Sequence, residues 1–469
     1  MSALPDSLTR RAVLCVVGAM VLGYTLQISN GTLHPDAFVG ACCVAGLLLA
    51  VLFVPERELS PLVRAGSLAL IAGGLAWFAS IHLTTPPGMY LRGPPDLMIE
   101  HHRLIAIAAV CGGLVVARPP GVVVLVVILG TWFVLGLWLL KASPEPYIDV
   151  WHWHRTSYEA LKQGIDPYGI NMPNIYGHTQ WFAPGLADNT TVFVGYPYPP
   201  VTMLLGFLGH LAKADYRYFN LVAQTATGAM IALTGRGRLG AIAAMVYLFT
   251  PRGLFVLEQG WTESLSALGV AATLFAAVRF PRALPWVFGV MLGIKQYFIF
   301  ALPLMPFLLT GEWKGRWKGF LVRAAIIPAV VTLPFFFWNP GGFINSVVVF
   351  QSKQPFRTDA LSVLAWLVSK GGPQLWANTS FIAAGVTLGL GWWKAPRNPA
   401  GFAAVLSAAI FFFFFFAKQA FTNYYYLVIA CLCVSAAAFV SGLSVNDASL
   451  SDGGPSSSAP TRAGSAKPT

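Results

Sequence analysis

The sequence predicts an all-α polytopic membrane protein, with about 13 transmembrane helices and one long outer loop that carries an amphipathic helix. Of its 469 residues, 56% are hydrophobic and only 10% are charged, whereas a soluble domain carries roughly 25% charged residues. The mean hydropathy is +0.65, and the apolar residues come in runs near the ~20 residues that cross about 30 Å of hydrocarbon. So few charges cannot cover a water-facing surface of this size.

The charge balance fits a membrane protein. The chain has 30 Lys and Arg against 18 Asp and Glu, a formal net charge of +12, and this excess is expected on cytoplasmic loops. No basic cluster lies on a soluble module, so a nucleic-acid partner is not expected. All six cysteines lie in apolar runs as small hydrophobes, without the spacing of a metal site or a disulfide framework: Cys15, Cys42, Cys43, Cys111, Cys431 and Cys433.

The first part of the chain predicts five transmembrane helices, at 12–28, 37–54, 65–83, 104–117 and 120–140. On an alternating path the basic residues between them fall on one side, which we assign to the cytoplasm: Arg10, Arg11, Arg57, Arg64 and Arg118. Residues 141–198 then face outward. This loop of about 58 residues is the longest polar stretch, and loops of such length are usually functional.

The remaining apolar runs are shorter and several are broken by proline. They lie near 199–212, 216–234, 239–256, 262–278, 283–310, 320–338, 376–393, 400–417 and 424–441. Broken helices survive in a bilayer only where they are buried in protein or line a cavity, so a cavity is expected in this region. The basic segment 311–323 is assigned to the cytoplasm and 339–360 to the outside. The path between 199 and 311 stays open: it needs an odd number of crossings, so at least one short run is not expected to span.

The start of the outer loop carries the first candidate site. Asp149 follows the 120–140 helix closely, and a carboxylate so near the membrane costs free energy unless it is paired or functional. Apolar residues then recur at three- and four-residue spacing between 150 and 161, which predicts a helix lying flat on the membrane surface. Gly-Ile-Asp-Pro-Tyr-Gly (164–169) ends it. Asp149 as the N-cap of this helix is an equally good interpretation of the residue.

The end of the outer loop is Gly-Tyr-Pro-Tyr-Pro-Pro, residues 195–200. Its prolines preset the backbone for entry into the next helix. Tyr196 and Tyr198 fit either a substrate wall or the aromatic belt that membrane proteins carry at the interface.

Taken together, Asp-Val after an apolar helix, Gly-x-Asp-Pro-Tyr and Tyr-x-Tyr-Pro-Pro resemble the bacterial polyprenol-phosphate-mannose-dependent mannosyltransferases, a family of the GT-C superfamily. The resemblance covers roughly 140–440 in architecture, with sharp motifs only at 148–200. In that family an aspartate in the first large outer loop is taken as the catalytic base, and the matching position is Asp149.

The resemblance divides the chain into three parts. Residues 120–441 form the GT-C-like catalytic core with the outer loop 141–198, and 442–469 form a tail rich in Ser, Gly, Ala and Pro that is expected to be disordered. The family core usually has one helix before the catalytic loop, whereas here about five precede it. Residues 1–119 are therefore a possible added module, about which the resemblance implies nothing.

The resemblance implies transfer of a sugar, with mannose as the family's sugar, from a polyprenyl-phosphate donor to a lipid or glycan acceptor. The reaction would take place at the extracytoplasmic face of the inner (plasma) membrane, among membrane lipids, by a single displacement with inversion. The acceptor hydroxyl needs a base, and a carboxylate is suitable. The leaving phosphate needs cationic or N–H donors. No cofactor is expected, and a divalent metal is left open.

Candidates for binding the donor phosphate follow later in the chain. Lys295 lies in the middle of an apolar run, where a lysine indicates function, with snorkelling as the alternative. Lys353 and Arg357 lie in the outer segment 350–362, where a local pair between Arg357 and Asp359 is the alternative. Lys418 and Asn423 lie between two apolar runs, on the predicted outer side.

The expected substrate wall comprises Tyr168, Tyr196, Tyr198 and Gln259. Gln259 belongs to the polar interruption 258–264, which would be cytoplasmic if the helices alternated strictly. Family members often have Gly-Gln in this region, where this chain has Gln-Gly. No metal site is expected, because His152 and His154 point apart on a helix.

Two other functional classes share these sequence features. A secondary transporter or lipid flippase also has broken helices and intramembrane charges, although it more often places those charges at the bilayer midplane. A membrane ligase or polymerase of surface polysaccharide is the third alternative.

Overall fold

The computed structural model describes residues 8–93, 96–235 and 237–451. The described part of the chain is almost entirely helical, with one small antiparallel strand pair, β1 (Met172–Pro173) and β2 (Thr191–Val192), in the outer loop. The architecture is all-α, and its long apolar helices make this a multi-pass membrane protein.

The five helices predicted at the start of the chain are confirmed. They are α1 (Arg10–Ser29), α2 (Pro35–Phe53), α3 (Pro61–Thr84), α4 (Leu97–Ala117) and α5 (Val122–Ala142). Proline occupies the first position of α2 and α3, where its missing N–H costs nothing. α1 packs against α2 and against the last helix, and α3 packs against α4.

The outer loop 141–198 contains the helix α6 (Asp149–Lys162), and α7 (Pro200–Lys213) follows the loop. The amphipathic helix predicted at 150–161 is confirmed as α6, whose buried face carries aromatic residues such as Trp151 and Trp153. His210 of α7 hydrogen-bonds Glu159 of α6 at 2.9 Å, so the two helices pack together in one outer layer.

The middle of the chain forms α8 (Arg217–Gly235), α9 (Gly237–Leu248), α10 (Gly253–Glu258), α11 (Glu263–Arg279) and α12 (Leu284–Ile294). Two 3-10 segments, Gln296–Ala301 and Met305–Leu308, follow. The apolar run 283–310 is thus broken, as predicted. Lys295 has an extended backbone at the break, and Pro303 and Pro306 supply no N–H for a continuous helix.

Contacts at the outer ends resolve the path that the sequence left open. Arg217, at the start of α8, donates to the carbonyl oxygens of Ser143 at 2.9 Å and Glu258 at 3.0 Å. The chain is therefore on the outer side both before and after α7, and α7 is the run that does not cross. The path from the outer loop to the basic segment 311–323 requires an odd number of crossings. Five elements supply them: α8, α9, α11, α12 and the 3-10 stretch.

At the opposite ends of the helices, the basic loops come together. Arg238 donates to the carbonyl oxygen of Ala117 at 3.2 Å, and Arg279 donates to that of Leu233 at 2.9 Å. The Trp313 indole donates to the carbonyl oxygen of Pro281 at 2.7 Å. Grouping of Lys and Arg on one side is the pattern of cytoplasmic loops.

The side assignment is a prediction that labelling tests. In a variant whose six native cysteines are replaced by alanine, a cysteine at the exposed Gln163 should react with a membrane-impermeant maleimide in intact cells. A cysteine at the exposed Lys314 should react only after lysis and serves as the matched control. Protection of position 163 with labelling of position 314 would invert the topology, and equal labelling of both in intact cells would contradict the helix path.

The last part of the chain begins with the long apolar helix α13 (Trp317–Trp338) and ends with the long helix α19 (Thr422–Ser451). The elements between them are α14 (Pro340–Ile344), a π-helical turn (Asn345–Val349), α15 (Phe350–Lys353), α16 (Val363–Ser369), α17 (Thr379–Lys394) and α18 (Pro399–Phe415). The helix α19 continues into 442–451, the first part of the expected tail. Extending an existing helix adds one hydrogen bond per residue and needs no new nucleus. The rest of the expected tail, 452–469, lies outside the described residues.

Among the described residues, seven helices are long and apolar enough to cross a membrane, namely α1 to α5, α13 and α19. Three shorter apolar stretches, Gly237–Leu248, Pro281–Ile294 and Pro399–Phe415, add to these. The total of about 13 spans stays a prediction.

The hydrophobic side chains form two clusters. The larger one fills the space between the long helices. The smaller one lies in the outer layer and joins α6 to the far end of α13 and to the short helices beyond it: Trp151, Trp153, Tyr158, Tyr168, Tyr196, Phe335, Phe343 and Phe350 are among its members. The outer loop is thus a packed layer that fixes the residues around Asp149.

Candidate functional site

Asp149 is the first residue of α6 and is half-buried. Its Oδ1 accepts the Val150 N–H at 2.7 Å, and its own N–H donates to the Tyr176 hydroxyl at 3.4 Å. The N-cap residue of α6 is Ile148. Asp149 is therefore the first helical residue and not the N-cap. The carboxylate nevertheless accepts an N–H of the first turn, where a negative charge is favoured by the helix dipole.

The environment of Asp149 favours proton uptake. Burial raises the pKa of its carboxyl above the ordinary value, and this effect is opposed by the hydrogen bonds from Val150 and Tyr176 and by the Arg357 guanidinium. A general base is most effective when its pKa approaches the working pH. The positive charge of Arg357 favours the deprotonated form of the Asp149 carboxyl and so lowers its pKa.

Arg357 is held between two aromatic rings and a carboxylate. Its guanidinium carbon lies 3.8 Å from the centroid of the Trp181 ring and 5.0 Å from that of Phe421. Its Nε and Nη2 donate to the two oxygens of Asp359 at 2.8 Å and 2.6 Å. The local pair between Arg357 and Asp359, which was an alternative in the sequence analysis, is therefore confirmed. The guanidinium remains partly accessible, so donor binding through Arg357 would use a cation already oriented by Trp181 and Asp359.

The other predicted cations of the outer side lie on neighbouring segments. The Lys418 Nζ donates to the carbonyl oxygen of Ser352 at 2.7 Å, and the Arg357 N–H donates to that of Lys418 at 3.0 Å. These bonds join the segment 350–357 to the start of α19, where Asn423 is half-buried. Lys353 ends α15 and is exposed. The structure therefore joins the segment that carries Lys353 and Arg357 to the segment that carries Lys418 and Asn423.

Lys295 is neither free nor snorkelling. It is buried, its Nζ donates to Glu263 Oε1 at 3.2 Å, and it lies 4.1 Å from the centroid of the Tyr198 ring. Tyr198 in turn stacks on His154, with ring centroids 5.6 Å apart. A buried ion pair of this kind is costly to break. The sequence offered Glu263 as a possible ligand of sugar hydroxyls, and its pairing with Lys295 was not predicted, although an acidic residue between apolar runs was the available signal.

The segment 258–264 lies on the same side of the helices as Asp149, because Arg217 contacts both Ser143 and Glu258. Strict alternation, the condition for a cytoplasmic placement, therefore does not hold. That placement counted α7 as a crossing. Glu258 is fully buried and accepts N–H groups from the loop between α3 and α4, and Gln259 Nε2 donates to Glu258 Oε2 at 3.2 Å. Gln259 is itself buried and hydrogen-bonds Glu258, and its place in a substrate wall stays a prediction.

The three tyrosines of the predicted substrate wall differ in burial, and their role as a wall stays a prediction. Tyr168 and Tyr196 are buried in the outer hydrophobic cluster, where the Tyr168 hydroxyl donates to the carbonyl oxygen of Tyr198 at 2.9 Å. The Tyr196 hydroxyl hydrogen-bonds His154 Nδ1 at 3.2 Å. Tyr168 and Tyr196 therefore stabilise the outer loop through buried packing and hydrogen bonds. Tyr198 is half-buried and is the member of the three that a substrate can reach.

Within the described residues, no group of three His, Cys, Asp or Glu side chains is placed to hold a metal ion. His154 is buried and hydrogen-bonds the Tyr158 hydroxyl at 2.8 Å. The cofactor requirement stays an expectation.

The geometry therefore joins one base to several cations. Burial raises the pKa of the Asp149 carboxyl and the Arg357 charge lowers it, and the Arg357 N–H donates to the carbonyl oxygen of Lys418. The Tyr198 ring lies 4.1 Å from the Lys295 Nζ, which pairs with Glu263. Such a set can accept a proton from a hydroxyl and bind a phosphate, and it requires no protein nucleophile.

Comparisons with known proteins add little to this geometry. No family model matches the chain, and no curated protein matches it. Among solved structures, the chain is similar to ArnT from Cupriavidus metallidurans, crystallised with undecaprenyl phosphate, with 17% identity over 68% of this chain and 59% of the ArnT chain. The TM-score is 0.42, which is too low to establish a shared fold.

Proposed function

We propose that this protein is a membrane glycosyltransferase that moves a sugar from a polyprenyl-phosphate donor to a hydroxyl of a lipid or glycan acceptor. The observation that carries the proposal is the half-buried Asp149 carboxyl at the start of α6, whose pKa is raised by burial and lowered by the charge of the partly accessible Arg357. A base beside an oriented cation fits displacement of a phosphate from a sugar, because the proton and the leaving anion go to different groups.

The proposed reaction is one displacement. The acceptor oxygen attacks the anomeric carbon, its proton passes to Asp149, and the bond from the anomeric carbon to the phosphate oxygen breaks. The electron pair leaves with the polyprenyl phosphate, and the configuration at the anomeric carbon inverts. Arg357 and Lys418 bind the departing phosphate, with Lys353 and Asn423 at the edge of the site, and Tyr198 contacts the sugar. The sugar that the sequence motifs favour is mannose.

The position of the site supports a lipid-linked donor. Asp149 follows the end of α5, a helix with a mean hydropathy of 2.7 over its most apolar window, so the base lies where a lipid headgroup meets water. We place this face on the extracytoplasmic side of the inner membrane, in accordance with the positive loops at the opposite ends of the helices.

The proposal is tested with purified protein in liposomes that contain radiolabelled polyprenyl-phosphate mannose and a membrane lipid extract as acceptor. Label should move from the donor to a new product and should not move with Asp149→Asn. Passage of intact labelled donor between leaflets, without transfer, would identify a flippase or transporter instead. Growth of a long polymer from lipid-linked oligosaccharide alone would identify a polymerase or ligase.

Arg357→Lys is expected to lower kcat/KM for the donor roughly 10- to 100-fold, the range for losing a charge-assisted hydrogen bond. Lysine keeps the charge but loses the planar fork that pairs with Asp359 and stacks on Trp181. The measurement is initial transfer rate against donor concentration. Arg397→Lys is the matched control, since Arg397 is an exposed arginine 5.1 Å from the centroid of the Trp392 ring and lies away from the site. Equal kinetics in both variants would remove Arg357 from the donor site.

A further inference from the structure

The buried carboxylate of Glu258 binds a loop of the N-terminal helices α1–α4. Its Oε2 accepts the Met89 N–H at 2.7 Å and the Gln259 side-chain amide at 3.2 Å, and its Oε1 accepts the Tyr90 N–H at 2.8 Å. Met89 and Tyr90 belong to the loop 85–93 between α3 and α4. Successive backbone N–H groups form a concave site for an anion, and a buried carboxylate needs such donors. Hydrogen bonds from the Met89 and Tyr90 N–H groups to the Glu258 carboxylate therefore hold the loop 85–93 against the core of the protein.

Gly88 shows how closely the loop is fitted to this carboxylate. A Cβ atom at position 88 would overlap the Glu258 carboxylate. Alanine at position 88 would therefore force either the loop or the Glu258 side chain to shift, so the contact between them is close.

The same loop contacts the chain that leads to the catalytic residue. The Tyr90 hydroxyl donates to the carbonyl oxygen of Tyr147 at 2.8 Å, and the Arg92 N–H donates to that of Ala142 at 2.6 Å. Tyr147 precedes Asp149 by two residues. The loop 85–93 thus joins Glu258 to the segment 142–147 and restrains the start of α6.

The other outer loop of the N-terminal helices, between α1 and α2, reaches the opposite half of the site. The Leu33 N–H donates to the carbonyl oxygen of Asp359 at 2.8 Å. Gly31 has a left-handed backbone with φ of 71°, and a Cβ atom there would lie 2.4 Å from the Thr422 nitrogen. This loop therefore contacts the carboxylate partner of Arg357 and the start of α19, next to Asn423.

We propose that Glu258 is a positioning residue for sugar transfer: it holds the loop 85–93, and this loop fixes the segment that carries Asp149. The N-terminal helices are then part of the catalytic apparatus, although they supply no group to the reaction. The inference rests on the function proposed above for Asp149. It explains why a buried carboxylate outside the reaction centre is retained with three N–H donors.

The chemistry of the proposal makes a specific kinetic prediction. A general base must stay within hydrogen-bond reach of the acceptor hydroxyl, and a displacement of about 1 Å can cost on the order of 100-fold in rate. Releasing the loop should therefore lower kcat. It should leave the donor KM nearly unchanged, because Arg357 and Lys418 lie on other segments. This separation of kcat from KM is not expected of general destabilisation.

Two variants test the proposal by different bonds. Glu258→Gln keeps the size of the side chain but presents an NH₂ group to one of the loop N–H groups, so the loop should be released. Tyr90→Phe removes only the hydroxyl that bonds Tyr147 and serves where Glu258→Gln fails to fold. Both should lower kcat roughly 10- to 100-fold, with donor KM within about twofold. Both should also speed amide hydrogen exchange at 143–150.

Matched controls come from the same helices. Glu100→Gln changes an exposed carboxylate of α4, and Tyr24→Phe changes an exposed tyrosine of α1; both should behave as wild type. Wild-type kcat in Tyr90→Phe and Glu258→Gln would overturn the proposal, as would faster exchange at 143–150 with no loss of kcat. If the wild-type protein transfers no sugar, the proposed function fails. In that event the positioning role for sugar transfer falls with it, and exchange at 143–150 decides only whether the loop 85–93 restrains this segment: faster exchange in both variants shows the restraint, and unchanged exchange overturns it.

Discussion

Asp149→Asn is expected to slow sugar transfer by about 10²- to 10⁴-fold, which is the usual contribution of a positioned general base. The amide oxygen of asparagine can still accept the Val150 N–H that Asp149 Oδ1 accepts in the structure. The helix start and the donor site should therefore be preserved, and only the capacity to take a proton is lost. The measurement is kcat with saturating donor, together with the donor KM, which should stay near the wild-type value.

The same experiment separates catalysis from helix capping. Asparagine and aspartate cap helices about equally well, so near-wild-type turnover in Asp149→Asn would assign the carboxylate to capping alone. Asp188→Asn is the matched control, because Asp188 is an aspartate of the same loop whose Oδ1 accepts the N–H groups of Thr190 and Thr191. Its replacement should leave transfer unchanged.

The raised pKa of Asp149 also predicts the pH dependence of transfer. The base works in its deprotonated form, so kcat/KM should fall as the pH drops through the pKa of this carboxyl. Because burial raises that pKa above the ordinary value, the acid limb should lie at a higher pH than for a solvent-exposed aspartate. Loss of this limb in the residual activity of Asp149→Asn would assign it to Asp149, and an unchanged limb would assign it to another group.

Lys295→Met is expected to destabilise the protein by about 3–5 kcal/mol, because it leaves the buried Glu263 without its partner. Both side chains of this pair are almost completely inaccessible, at 6% and 1%. Thermal unfolding in detergent measures the effect. Lys162→Met is the matched control, since Lys162 pairs with Glu159 at 3.0 Å on the surface, where such pairs contribute less than about 1 kcal/mol. Equal stability of the two variants would contradict the buried pair.

A double variant then asks whether Lys295 binds the donor phosphate, as its position in an apolar run predicts. Lys295→Met with Glu263→Gln removes both charges and should recover much of the lost stability, because no unpaired charge stays buried. If the double variant folds and its donor KM rises, Lys295 contributes to the donor site. An unchanged KM would restrict Lys295 to the pair with Glu263.

The helices could be predicted from the sequence because each crossing needs an apolar run of nearly fixed length, and α1 to α5 show such runs without interruption. The amphipathic period of 150–161 likewise predicted α6. The side of the segment 258–264 could not be predicted, because charge and hydropathy do not show whether a 14-residue helix such as α7 crosses or stays outside. Contacts of Arg217 with residues distant in sequence decide this.

The candidate site was predictable where local pattern and chemistry coincide, as for Asp149 and Arg357. It was not predictable where burial decides the role. The sequence motifs contain three tyrosines that look alike in sequence: Tyr168, Tyr196 and Tyr198. The first two pack against rings from α6, α13 and α14, and of the three only Tyr198 is partly accessible. The pairing of Lys295 with Glu263 also depends on how α11 and α12 pack, which a charge pattern does not show.

The outer hydrophobic cluster has a consequence for biosynthesis. Trp153 packs against Phe350, with ring centroids 5.9 Å apart, so the outer loop meets its packing partners only after roughly 200 further residues have been made. At about 5–20 residues per second this takes on the order of 10–40 s. If the loop lies on the extracytoplasmic side, as we propose, it has crossed the membrane during that interval while its aromatic side chains lack their final partners. We therefore expect the nascent chain to be most vulnerable to extracytoplasmic proteases before α13 is inserted, and the Asp149 segment to become protected only when synthesis has passed Phe350.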